Sequence, residues 1–151
     1  LIYVGLPVLA LLLLRGQPDG LLLSFWAMAL VWACDIGAYF AGRSIGGPKL
    51  APTISPNKTW AGLIGGVVAA TVFGAALQNA GLPLHLVLAT PLLAVLAQMG
   101  DLYESQLKRR AGVKDSGNVL PGHGGVLDRL DGLVPVAPAA ALMVELAKIT
   151  P

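Results

Sequence analysis

The chain has 151 residues, of which 56% are hydrophobic and 12% charged, against about 25% charged in an ordinary soluble domain. Its mean hydropathy of +0.74 agrees with that composition and excludes a soluble globular domain. The formal charge of +2 is too small for a nucleic-acid-binding surface, so nucleic acid is not expected as a partner.

A helix that crosses the hydrocarbon core needs roughly 20 apolar residues at about 1.5 Å each. Apolar runs fall at 1–14, 21–41, 60–80, 84–100 and 133–150. The expected fold class is therefore all-α, a polytopic transmembrane helical protein with about five membrane spans. The chain starts at Leu1 inside an apolar run, with no charged n-region and no cleavage site. That reads as part of a longer protein and not as a signal peptide. Cys34 is the single cysteine and lies within a span, where a small packing residue is expected.

The connections at 15–20 and 81–83 are short, so spans one and two, and three and four, should be antiparallel neighbours. The longer connections, 42–59 and 101–132, then fall on one side of the membrane. They carry Arg43, Lys49, Lys58, Lys108, Arg109, Arg110, Lys114 and Arg129, which is eight of the ten Lys and Arg residues. Retention of positive loops places that side in the cytoplasm, where nucleotides are found. The third span is rich in Gly and Ala between Ala61 and Ala76, which predicts a closely packed inner helix. Trp60 at its start suits an interfacial anchor, and Pro91 should kink or loosen the fourth span.

Chemistry concentrates at the same face. Asp35 sits within the second span, with Tyr39 one turn further along the same face. A buried carboxylate in a membrane helix is costly unless it is paired or reaches water. It serves either a site or a polar contact between helices. Ser55, Asn57, Lys58 and Thr59 precede the third span, where the positive end of a helix favours anions. This segment is either a phosphate site or a helix cap with an interfacial lysine. If the fourth helix continues past the membrane surface, Asp101, Glu104, Ser105 and Lys108 share one of its faces.

The block from Ser105 to Asp131 holds Lys108, Arg109, Lys114, Arg129, His123 and the Gly124–Gly125 pair, and it ends in Asp128 and Asp131. Glycines let backbone approach a phosphate, and the cations neutralise it. A hard cation such as Mg²⁺ takes carboxylate oxygens together with substrate phosphates. One aspartate from each acidic segment would suffice for such an ion. The set suits phosphoryl or nucleotidyl transfer. A zinc site is disfavoured, since the only histidines are His85 and His123 and no cysteine pair exists. His123 reads as a phosphate donor, a turn residue or a general acid or base.

These 27 residues resemble the signature of the phosphatidate cytidylyltransferases. The pattern is Ser-x-apolar-Lys-Arg, four residues, Lys-Asp-x-small, Pro-x-His-Gly-Gly and Asp-Arg-x-Asp, and every fixed position matches. Asp-x-x-Ala-Tyr-x-x-Gly-Arg at Asp35 and Ser-Pro-x-Lys-Thr at Ser55 resemble the same family in the expected order. Ala61 stands where family members often carry Glu or Gln, and no role is assigned to it.

The resemblance implies that residues 1–151 form a single transmembrane catalytic region, the C-terminal part of a longer chain. Its partners would be CTP, phosphatidate and the bilayer of the bacterial inner membrane, and its products CDP-diacylglycerol and pyrophosphate. The cofactor would be Mg²⁺, with room for a second cation and for pairing into a homodimer. Asp101 and Asp128 would hold the metal, with Asp131 nearby. Lys108 and Arg129 would act in catalysis, and with Arg109 and Lys114 they would bind phosphates. Ser55, Lys58, Thr59, Ser105, His123, Gly124 and Gly125 would complete the substrate site, which Asp35 lines from within the membrane. A CTP-dependent transferase acting on an isoprenoid ether lipid phosphate or a polyprenol fits the same residues. A transporter or ion pathway shares Asp35 and the small-residue packing, but it has no need of so much phosphate chemistry at one face.

Overall fold

The computed structural model describes residues 2–113 and 130–149. These form five helices, α1 (Ile2–Arg15), α2 (Gly20–Ser44), α3 (Trp60–Gln78), α4 (Leu84–Arg110) and α5 (Leu133–Ile149). Three of them, α2, α3 and α4, are long and apolar enough to cross a membrane. At 25 and 27 residues, α2 and α4 reach about 37 and 40 Å, beyond a hydrocarbon core of about 30 Å. Their surplus length carries polar residues out at one end. The helix α4 runs unbroken through Pro91 and finishes on Lys108, Arg109 and Arg110, cations that suit the negative end of a helix.

The expectation of an all-α chain needs one correction. Between α2 and α3, strands β1 (Lys49–Ala51) and β2 (Ser55–Thr59) pair antiparallel, with Lys49 opposite Thr59 and Ala51 opposite Ser55. Pro48, Pro52 and Pro56 make a helix here untenable. Gly46 and Gly47 adopt φ of 66° and 90°, which turns the chain sharply off the end of α2. The Trp60 amide then donates to the Pro48 carbonyl at 3.1 Å, tying the base of the hairpin to the start of α3.

The apolar core joins α1, α2, α4 and α5. Leu14, Trp26, Leu30, Leu86, Leu93 and Val136 are all essentially inaccessible. The Trp26 indole N–H donates to the Thr90 hydroxyl at 3.1 Å, and that hydroxyl donates to the Leu86 carbonyl at 2.9 Å, so both of these buried polar groups are satisfied. The short-turn pairs α1–α2 and α3–α4 are in contact as expected, although α1 lies more extensively against α5.

The expected inner position of α3 is also corrected. Only 22% of its apolar window is buried, against 39% for α2 and 44% for α4. Its buried residues, Gly62, Gly66, Ala70 and Gly74, recur every fourth position and so form a single stripe. Small residues here permit close approach on one side and do not require enclosure on all. The α2–α3 crossing is the most extensive helix contact. A Cβ on Gly65 would lie 2.2 Å from Ala41 Cβ, and one on Gly37 would lie 2.6 Å from the Gly65 carbonyl oxygen, so the backbones touch.

Candidate functional site

Where α2, the hairpin, α3 and α4 meet at their polar ends, an open cavity of about 670 Å³ is lined by residues from all four. Asp35, Tyr39 and Arg43 come from α2, Asn57, Lys58 and Thr59 from β2, and Gln98 and Asp101 from α4. Ala38, Gly42 and Gly62 form the remaining wall with Leu63. The absence of bulk along α2 and α3 therefore does two things. It lets the backbones touch and leaves space beside the contact.

Each side chain is held by a local cause. Thr59 is extended and caps α3, its hydroxyl oxygen accepting from the Gly62 amide at 3.0 Å. That geometry fixes the Cα of Lys58 next to it. Lys58 forms an ion pair with Oδ2 of Asp101. The Ser105 hydroxyl donates to Oδ1 of the same carboxylate at 3.4 Å, one turn along α4. Glu104, buried at 3% exposure, pairs with Lys108 at 3.4 Å one turn further on. The expected polar face of α4 is thus present and internally paired. On α2, Arg43 donates to the Tyr39 hydroxyl at 3.1 Å.

Asp131 reaches this end from the turn before α5. Gly100 permits it: a Cβ there would lie 2.8 Å from the Asp131 carbonyl oxygen and 2.7 Å from Pro135. The Asp131 carboxylate accepts from the Gly132 amide at 2.7 Å. Burial, and then the neighbouring Asp101 carboxylate, push Asp131 up to about 7 from an ordinary 3.8. Carboxylates therefore crowd around Asp131, with Lys58 the cation set directly on Asp101.

Of the residues singled out from the sequence, Asp35, Tyr39, Asn57, Lys58, Thr59 and Asp101 line the cavity. Ser105 bonds to Asp101, and Asp131 interacts with it electrostatically. Ser55 lies at the far end of β2, opposite Ala51, and is not among the lining residues. Arg109 is exposed near the end of α4. Lys114, His123, Gly124, Gly125, Asp128 and Arg129 lie outside the described residues. Gln98 was missed, and an amide inside an apolar run three residues before Asp101 was the available signal. Arg43 is read from the sequence as a loop charge and as the end of the segment that starts at Asp35, without a site role. Among the described residues no three His, Cys, Asp or Glu side chains form a ready cage for a metal.

Residues 1–147 match the Cytidylyltransferase family. The chain belongs to that family. It is 54% identical over 145 residues to the phosphatidate cytidylyltransferase of Brucella suis, covering 91% of this chain and 52% of that protein. It is 48% identical over 142 residues to the enzyme of the same name from Bacillus subtilis, with 91% and 53% covered. Against the phosphatidate cytidylyltransferase of Rickettsia bellii the identity is 39% over 150 residues, with 91% and 64% covered. The chain spans about half the length of the first two relatives. Family membership accounts for the acidic and basic side chains that converge at one end of an otherwise apolar bundle.

Proposed function

We propose that this chain carries the catalytic end of an enzyme that condenses CTP with phosphatidate to give CDP-diacylglycerol and pyrophosphate. The observation that carries the reading is the cavity in which Asp35, Lys58 and Asp101 meet, in a member of the cytidylyltransferase family. An oxygen of the phosphatidate phosphate attacks the α-phosphorus of CTP. The bond from that phosphorus to the bridging oxygen breaks, and pyrophosphate leaves with its electron pair. The attacking phosphate is already ionised at neutral pH, so no strong base is required. The barrier is the approach of two anions, which cationic side chains lower by neutralising charge where it builds up.

The donor set fits Mg²⁺. Asp101 and Asp131 supply only hard oxygen, and their mutual repulsion in a half-buried setting favours a cation. Mg²⁺ is content with one or two carboxylates plus phosphates and water, so a complete protein cage is not needed. In this reading Asp101 and Asp128 would hold the ion, which would supply charge neutralisation at the triphosphate. Lys58, Lys108, Arg109, Lys114 and Arg129 bind phosphate oxygens. Asp35 lines the cavity from within the membrane.

We place all five helices across the bilayer, with the cavity facing the cytoplasm of the bacterial inner membrane. The contacts of α1 and α5 with each other and with α2 and α4 support a common depth, and the Lys and Arg count of the two long connections supports the orientation. The test is release of pyrophosphate from CTP by the full-length protein in phosphatidate vesicles. Turnover should require Mg²⁺ and stop on chelation. An Asp101→Asn variant should lose at least about a hundredfold in turnover, since displacing even a group that only supports a metal ligand costs 10–100-fold. Equal turnover with a polyprenyl phosphate in place of phosphatidate would reassign the lipid, and wild-type turnover by the variant would remove Asp101 from the site.

A further inference from the structure

Both oxygens of Asp101 are already engaged. Oδ2 carries the Lys58 ammonium and Oδ1 accepts from Ser105. Lys58 has 18% of its side chain exposed, and its Nζ is sealed from solvent with no hydrogen-bond partner among the described residues beyond this ion pair. Asp35 interacts electrostatically with both groups. Two of the carboxylates that line the cavity therefore act on one ammonium. A divalent cation that takes Asp101 as a ligand meets a positive charge seated on that ligand, and the two cannot share it without strong repulsion. Lysine is suited to leave, being a point charge on a flexible four-carbon stem, whereas Thr59 and α3 hold its backbone in place.

We infer that Lys58 is a displaceable counter-ion: it neutralises Asp101 in the empty site, a divalent cation expels it, and it then seats on a phosphate of the incoming nucleotide. This rests on the metal role proposed above for Asp101. It adds that metal and nucleotide bind with positive coupling, because each relieves a cost that the other imposes. Metal alone leaves Lys58 without its anion. Nucleotide alone leaves phosphate facing bare carboxylates. Together the two give Asp101 a cation and Lys58 an anion at once.

Mn²⁺ binding to the full-length protein in detergent, followed by electron paramagnetic resonance without turnover, provides the test. In the absence of CTP, Lys58→Met should bind Mn²⁺ about tenfold more tightly than wild type, because a unit positive charge beside the ligand has gone. CTP should tighten Mn²⁺ binding in wild type and do so far less in the variant. Unchanged or weaker Mn²⁺ affinity in Lys58→Met, with binding abolished in Asp101→Asn, overturns the inference and leaves the metal reading standing. Wild-type Mn²⁺ affinity in Asp101→Asn removes both.

A second measurement needs no variant. Acetylation of Lys58 by a small anhydride, read by mass spectrometry, should rise several-fold with Mn²⁺ alone and fall again when CTP is added. Labelling that ignores Mn²⁺ overturns the displacement.

Discussion

The two halves of α2 are held in different ways. From Leu23 to Val31 the helix buries bulk: Leu23, Trp26, Leu30 and Val31 join Leu14 of α1, Leu86 and Leu93 of α4 and Val136 of α5 in one apolar core. Beyond Cys34 the inward positions are Gly37, Ala38, Ala41 and Gly42, and they meet Gly62, Gly65 and Ala69 of α3 with backbone nearly against backbone. The first half is secured by filling space and the second by closing it. The second leaves a cavity beside the contact, because Ala38, Gly42 and Gly62 are also its wall. Rigidity near a membrane site can therefore come from small residues, which also leave volume for a substrate.

Two substitutions should separate the halves. Trp26→Ala empties a fully buried position and removes the indole donor from the Thr90 hydroxyl, which keeps its bond to the Leu86 carbonyl. The cost should be about 3 kcal/mol, the lower end for such truncations, because in lipid the water-transfer contribution is largely missing. Thermal unfolding in detergent should register that loss, while the KM for CTP in the surviving fraction stays at the wild-type value. Gly65→Ala places a methyl group on Ala41 and must part α2 from α3. Its stability cost should be smaller, about 1–3 kcal/mol, yet it should raise the KM for CTP, since Asp35 and Thr59 sit on the helices being moved. A Gly65→Ala enzyme with unaltered KM would show that the crossing shapes nothing beyond itself.

Much of this architecture was legible in the sequence. The apolar runs located all five helices, three of which are long and apolar enough to cross a membrane. They under-read α2 and α4 at the polar end, where the helix continues after apolarity stops. Proline and glycine between residues 46 and 56 ruled out a helix, but strand pairing depends on which segments meet and left no periodic trace. The small residues of α3 announced close approach without saying that it would be one-sided. Asp35, Lys58 and Asp101 stood out as costly charges near apolar runs. The ion pair between Lys58 and Asp101 did not, since it joins separate elements and each residue had a ready explanation alone. Gln98 escaped because an uncharged amide perturbs hydropathy so little.

At the hinge between hairpin and cavity the expected effect is smaller. Thr59 caps α3 through its hydroxyl, and removing a capping oxygen of this kind costs about 1 kcal/mol. Thr59→Ala should lower the unfolding midpoint slightly, and Thr59→Ser should restore it. If the hydroxyl served only as a phosphate donor, Thr59→Ala would weaken CTP binding without moving the midpoint. The cap geometry predicts that both change, because the backbone carrying Lys58 loosens with it.

The smallest effect concerns pH, and it again divides the molecule. The apolar core holds no titrating carboxylate, whereas Asp131 is raised to about 7 by burial and by Asp101. A carboxyl group whose pKa is higher in the folded than in the unfolded state favours folding when protonated. Its contribution is complete below the unfolded value near 3.8 and is lost as pH climbs through about 7. The unfolding midpoint of the metal-free protein should therefore fall by a few degrees between pH about 5 and about 8. Asp131→Asn, which keeps the shape and cannot ionise, should flatten that slope. It should also leave the midpoint of the Trp26→Ala variant no less depressed, because the lost indole and the suppressed carboxylate lie in regions that share no partner. A slope that persists in Asp131→Asn would move the titration to another group at the polar end.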